Sequence, residues 1–311
     1  MTDVGIWGWV LFNLAVLAML AFDLGVVNRK AHEISLREAT VWSIIWIVLA
    51  LLFNGWIFYR FGSERAQEFL AGYLIEKSLS VDNIFVFYVI FSYFGVEPKY
   101  RHRVLFWGIL GALVMRGAMI AAGVYLISRF HWIILVFGVF LIITGIRMLF
   151  HKEEKTDIEK IWVVRLARRF IPMTPHWHGQ CFFVKEAGKW LATPMLLVVL
   201  VVEATDLVFA LDSIPAIFAV TRDPFIVYTS NVFAILGLRS LFFLIAGLIP
   251  LFLYLKYALS FILVFVGVKM LLADTAWKIP TNVSLLVIAT SLALAIAASA
   301  LVRKPKSPEL E

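Results

Sequence analysis

The chain has 311 residues, 62% of them hydrophobic and 16% charged, with a mean hydropathy of +0.91. An ordinary soluble domain, at about 45–50% apolar and about 25% charged residues, is excluded by that balance. A single cysteine, Cys181, excludes an internal disulfide and any thiolate metal cluster, and the net charge of +7 sets membrane orientation rather than nucleic-acid binding because of where the cations fall.

Hydropathy predicts nine membrane spans, at 6–27, 39–59, 67–95, 103–127, 131–150, 192–220, 226–249, 254–272 and 281–302. Most reach the ~20 residues that a helix needs to cross the hydrocarbon core. The first span has no positive n-region and no A-x-A-like cleavage site, so it is expected to be retained. If the N-terminus lies outside, the cytoplasmic segments hold eighteen lysines and arginines and the opposite side five. That asymmetry orients the chain N-out and C-in.

The third and sixth predicted spans carry the same costly pattern. Glu76 is followed after five residues by Asp82-Asn83, and Asp206 after five residues by Asp212-Ser213, with Glu203 one turn upstream of Asp206. A carboxylate at the bilayer centre costs about 2.5–3.5 kcal/mol on insertion scales, and intramembrane acids mark ion pathways. Lys77, Arg116 and Arg239 are the candidate counter-charges, three cations against five acids. Purely structural pairing therefore leaves an excess of carboxylate. Asn83 and Asn231 add neutral oxygens. An all-oxygen set suits hard divalent cations (magnesium, calcium or manganese), and ligand chemistry does not separate these three. Clustered carboxylates also repel one another and hold protons more tightly when no metal is bound, which is a physical basis for exchanging a metal for protons. Asp23, near the inner end of the first span, reads equally as an accessory acid or as an interfacial carboxylate near Arg29 and Lys30.

The duplicated motif divides the chain into a 67–150 unit and a 191–273 unit of three spans each. Three is odd, so the units enter from opposite sides, a 3+3 inverted repeat of the kind that places transporter sites at the repeat interface. Residues 1–66 supply two further helices, and 274–311 the last helix and a basic tail. Positions six apart on an ideal helix point about 120° away from each other. Asp206 and Asp212 can converge only across a broken helix or through partners on other helices; Pro215 offers one cause for a kink, and a discontinuous helix is expected in both halves. The 151–190 loop predicts an amphipathic helix over 157–170, facing anionic lipid. It also predicts a short hairpin in which Phe182-Phe183-Val184 and Trp190-Leu191 flank Lys185–Lys189. His176-Trp177-His178 reads as solvated loop.

The stretches Tyr73-Leu-Ile-Glu76-Lys-Ser-Leu-Ser-Val-Asp82-Asn83 and Glu203-Ala-Thr-Asp206-Leu-Val-Phe-Ala-Leu-Asp212-Ser-Ile-Pro215-Ala-Ile-Phe-Ala219 resemble the TerC family, most closely its bacterial Alx-type members. Thr229–Arg239 continues the likeness, which covers nearly the whole chain. The resemblance implies an all-α polytopic protein of the bacterial inner membrane, about nine helices, related to LysE-type exporters. It implies manganese as the exported ion, with Glu76, Asp82, Glu203, Asp206 and Asp212 as its site. No prosthetic group, nucleic acid or enzymatic reaction is expected; the partners are the cation, protons and the bilayer. No G-x-x-x-x-G-K-[ST] motif marks a nucleotide-driven pump. The rival readings are a membrane redox modulator and a non-transporting assembly factor for other membrane proteins.

Overall fold

Apolar runs of this length must satisfy their backbone groups internally if they enter hydrocarbon, which leaves helix as their conformation. The computed structural model describes residues 2, 4–22, 34–130, 132–150, 164, 166, 169–186, 188–246, 254–273, 275 and 277–301. Its helices are α1 (Ile6–Phe22), α2 (Leu36–Phe61), α3 (Ser63–Tyr93), α4 (Pro98–Arg129) and α5 (Ile133–Phe150). A hairpin of β1 (Phe183–Glu186) and β2 (Lys189–Ala192) follows, then α6 (Pro194–Phe218), α7 (Pro224–Leu236), α8 (Leu238–Ala246), α9 (Leu255–Leu271) and α10 (Thr281–Leu301). Proline opens α4, α6 and α7, where its missing N–H costs nothing. Ser35 caps α2 through Glu38 N–H, and Asp223 caps α7 through Phe225 and Ile226.

Among the described residues five helices are long and apolar enough to cross a membrane, or six with α7 and α8 taken as one span bent by 43°. The chain is a multi-pass, mainly helical membrane protein. Outside that count, α1 and α9 are 17 residues long, and α3 carries Glu64, Arg65, Glu68, Glu76, Lys77 and Asp82. The hairpin forms where the sequence predicts it, with Val184 opposite Leu191 and Gly188 turning at φ +81°. Most of the 157–170 segment and all of Asp23 lie outside the described residues.

One expectation is overturned. Neither motif helix is broken: α3 runs unbroken for 31 residues, and α6 continues through Pro215 to Phe218. Pro215 sits in the last turn of α6, where it deprives the Leu211 carbonyl of its ladder partner without ending the helix. The bend lies instead between α7 and α8, at Gly237.

Two contacts frame the site. Along α4, a Cβ at Gly108 would come within 3.2 Å of Val202, and one at Gly123 within 2.5 Å of Phe218. The glycines thus let α6 lie close against α4. Helices α5 and α9 pack antiparallel with backbones almost touching, Gly138 against Gly267 and Gly145 against Ser260. A Cβ at Gly267 would stand 2.6 Å from the Gly138 carbonyl oxygen, and Ser260 Oγ donates to the Gly145 carbonyl. Small residues at such a seam are the usual route to close helix packing in lipid.

Candidate functional site: a buried arginine between two carboxylates

Glu76 on α3, Arg116 on α4 and Asp206 on α6 meet inside the bundle, at 0%, 2% and 3% exposure. The guanidinium grips Asp206 with two bonds, Nε to Oδ2 and Nη2 to Oδ1, both at 3.0 Å. Its Nη1 donates to Glu76 Oε1 and, at 3.3 Å, to Ser213 Oγ. Planar donors matched to a carboxylate fix geometry as well as charge. Asn231 on α7 donates Nδ2 to Glu76 Oε2 at 3.1 Å, and Asn83 donates to Asp206 Oδ1 at 3.4 Å. Asn231 leaves its Oδ1 buried without a hydrogen-bond partner.

The other acids go elsewhere. Asp212 is half-buried and accepts from Thr144 Oγ1 of α5 at 3.2 Å. The helix arithmetic holds on an unbroken α6: six residues turn Asp212 away from Asp206. Glu203 lies over α4 at Gly111, where any Cβ would overlap its carboxylate, and its Oε2 is buried without a hydrogen-bond partner. Asp82 sits on α3, but its side chain lies outside the described residues. Among the described residues, then, Glu76 and Asp206 share Arg116, while Glu203 and Asp212 make contacts of their own. Among the described residues no three His, Cys, Asp or Glu side chains are grouped to hold a metal.

Of the candidate counter-charges, Arg116 is ion-paired to two of the acids. Lys77 is not: its Nζ reaches 3.3 Å from the Ala234 carbonyl, and a Cβ at Gly237 would lie 2.5 Å from it. It serves the bend between α7 and α8, where a cation suits the carbonyl end of a helix. Arg239 is buried in the first turn of α8. In the loop, His178 Nε2 lies 2.8 Å from Glu186 Oε1, so the histidine pairs with the hairpin.

Sequence reasoning missed a second polar group. Glu68, two turns before Glu76 on α3, is buried and accepts from Arg65 Nη1 at 2.6 Å and Thr221 Oγ1 at 2.7 Å. Beside it opens a cavity of about 740 Å³ whose wall includes Lys269 and Lys278. The signal available was Glu68 itself, an acid at helical spacing from Glu76 inside the predicted third span.

Comparison with known proteins decides the family. The model of the integral membrane protein TerC family matches residues 61–307. The chain belongs to the TerC family. An uncharacterised membrane protein of Myxococcus xanthus is 56% identical over 291 residues, 94% of this chain and 91% of its own length. A protein of Photorhabdus laumondii named as a proposed membrane-bound redox modulator, Alx, is 46% identical over 97% of both chains. The protein of that name from Escherichia coli strain K12 is 47% identical over 90% of this chain and 89% of its own. Within the TerC family the chain is thus of the Alx type. No solved structure matches it.

Proposed function

We propose that the chain is a secondary transporter that exports a divalent cation, Mn2+, across a bacterial inner membrane in exchange for protons. The observation that carries this reading is Arg116, a cation clasped by carboxylates from two different helices inside the bundle. The guanidinium occupies the position a metal would take. When it swings aside, Glu76, Asp206 and Ser213 present hard oxygens, and the unpartnered Asn231 Oδ1 is one more. These fit Mn2+, Ca2+ or Mg2+ alike; manganese comes from the family resemblance. Asp82, Glu203 and Asp212 then act as further stations for the metal or the proton, on either side of the Arg116 cluster.

The inverted repeat is part of the same reading. Glu76 and Asp206, equivalent in the two motifs, meet on one arginine. The third helices of the two units, α5 and α9, pack antiparallel with Gly138–Gly267 and Gly145–Ser260 as reciprocal contacts. A two-fold axis in the membrane plane relates such pairs, and substrate sites lie at repeat interfaces of this kind. The start of α3, the ends of α6 and α9 and the start of α10 line one cavity, as alternate crossing requires; in the N-out orientation that end faces outward. The 151–190 loop and the tail then lie in the cytoplasm.

Proteoliposomes loaded with Mn2+, Ca2+ or Mg2+ under an imposed pH gradient test the proposal. Wild-type protein should move Mn2+ with counterflow of protons, and Asp206→Asn and Asp82→Asn should stop it while still inserting. Wild-type rates from both variants would sink the assignment. The relatives' name favours a redox role instead. With Cys181 as its one cysteine, the chain has no internal dithiol to cycle; a visible cofactor spectrum from purified protein would support that rival.

A further inference from the structure

We propose that the cavity beside Glu68 is an anion site that takes a phosphate group, held by Lys269. It stands independently of cation transport. Lys269, in the last turn of α9, is 6% exposed, and its Nζ is buried without a hydrogen-bond partner while its side chain forms part of the cavity wall. An ammonium has three donors and no acceptor, so leaving it unpaired in a buried setting is costly. A bound anion removes that cost.

The wall is built for one. Arg222 and Lys278 share the cavity with Lys269, and three cations against two acids around one space favour an anion between them. Two helices also begin there: Ser63 and Glu64 of α3 and Thr281 and Asn282 of α10 line it. The N-cap of α3 is Gly62, with no side-chain hydrogen bond to the first turn. First-turn N–H groups at a cavity wall are candidate donors for phosphate oxygens, although that of Val283 in α10 is already taken by Asn282 Oδ1, and the helix dipoles add to the attraction. Two acids, Glu64 and Glu68, line the same space, and Glu68 attracts Lys269 without giving it a hydrogen bond. Glu68 already has Arg65 and Thr221, and Glu64 is exposed in the first turn of α3. The cavity opens at one end of the bundle, the level at which lipid headgroups lie. The ligand is therefore free inorganic phosphate or the phosphodiester of an anionic phospholipid, one chemistry from two sources.

The test uses the full chain purified in a neutral detergent, with inorganic phosphate titrated against chloride at matched ionic strength and thermal unfolding as the readout. Phosphate should raise the unfolding midpoint saturably. Lys269→Gln should weaken that response about tenfold or more, as loss of a charge-assisted bond does, Lys278→Gln should weaken it less, and Lys269→Arg should keep it. Glu68→Gln should leave it in place. The second arm moves the protein into nanodiscs of phosphatidylcholine or phosphatidylglycerol. Loss of the phosphate response only with phosphatidylglycerol assigns the site to the headgroup; retention in both assigns it to the free anion. No saturable response to phosphate in detergent together with no gain in stability from phosphatidylglycerol would overturn the proposal. So would a response unchanged in Lys269→Gln. Should Lys269→Gln fail to fold, the lesser loss in Lys278→Gln with retention in Lys269→Arg decides the matter.

Discussion

Asp206 and Asp212 stand six residues apart on one helix and are treated in opposite ways. Asp206 is sealed in the bundle, bound twice by a guanidinium and approached by Asn83. Asp212 is half-buried and holds one bond, from the Thr144 hydroxyl. The difference is angular: 120° of helix rotation turns one acid toward α4 and the other toward α5. Two identical residue types on one span are thus an anchored charge and a loosely held one. A buried pair is costly to break and contributes little net stability when intact, whereas a half-buried acid with one hydroxyl partner costs little to change.

The comparison can be broken most directly at Arg116. Arg116→Met leaves Glu76 and Asp206 buried and uncompensated, and should cost about 3–5 kcal/mol. Thermal denaturation followed by size-exclusion chromatography would register it as loss of the monodisperse peak. Adding Glu76→Gln and Asp206→Asn to the same chain should restore that peak, since no buried charge then remains. Equal instability of the single and triple variants would mean the cluster is not held by charge. Next in size, Asp206→Asn should cost about 1.5–3 kcal/mol, the worth of a hydrogen bond to a charged group.

Gly111→Val tests the seat of Glu203. Its methyl groups would occupy the space of the carboxylate, and overpacking of this kind costs about 1–3 kcal/mol. Gly111→Val with Glu203→Ala should recover most of the loss, measured as a double-mutant cycle. The smallest stability effect belongs to Asp212→Asn, no more than about 1 kcal/mol, because the amide oxygen can still accept from Thr144 Oγ1. Its Mn2+ flux in proteoliposomes should nevertheless fall at least tenfold, and a variant that lost stability but kept flux would reverse the contrast between the two aspartates.

Much of this was legible beforehand. The hydrophobic runs place the described helices to within a few residues at most ends, Gly188 and its flanking residues mark the hairpin, and Arg116 stands out as the intramembrane cation for the acids. What the motif spacing could not supply is the neighbour. Spacing fixes the angle between Asp206 and Asp212, but only the packing of α5 against α6 puts Thr144 beside Asp212. Lys77 misled for the same reason: adjacent to Glu76 in sequence, it points about 100° away and finds the Ala234 carbonyl. The bend fell at Gly237 rather than near Pro215. Pro215 removes one ladder bond but only three residues of α6 follow it, whereas Gly237 interrupts its span midway, where Lys77 from α3 reaches the Ala234 carbonyl. Lys269 and Glu68 escaped notice because a charge near a span end ordinarily reaches water.

The α5–α9 contact has a mechanical corollary. Where two backbones touch through glycine, only flanking side chains such as Ile142, Val264 and Leu271 remain to repack. Sliding one helix past the other would drive a carbonyl into a Cα, and parting them would bare peptide groups to hydrocarbon. In a transport cycle of the proposed kind the pair is expected to move as one spindle, with the remaining helices rocking about it. A disulfide locking α5 to α9 should leave such rocking free, while one tying α4 to α6 should freeze it.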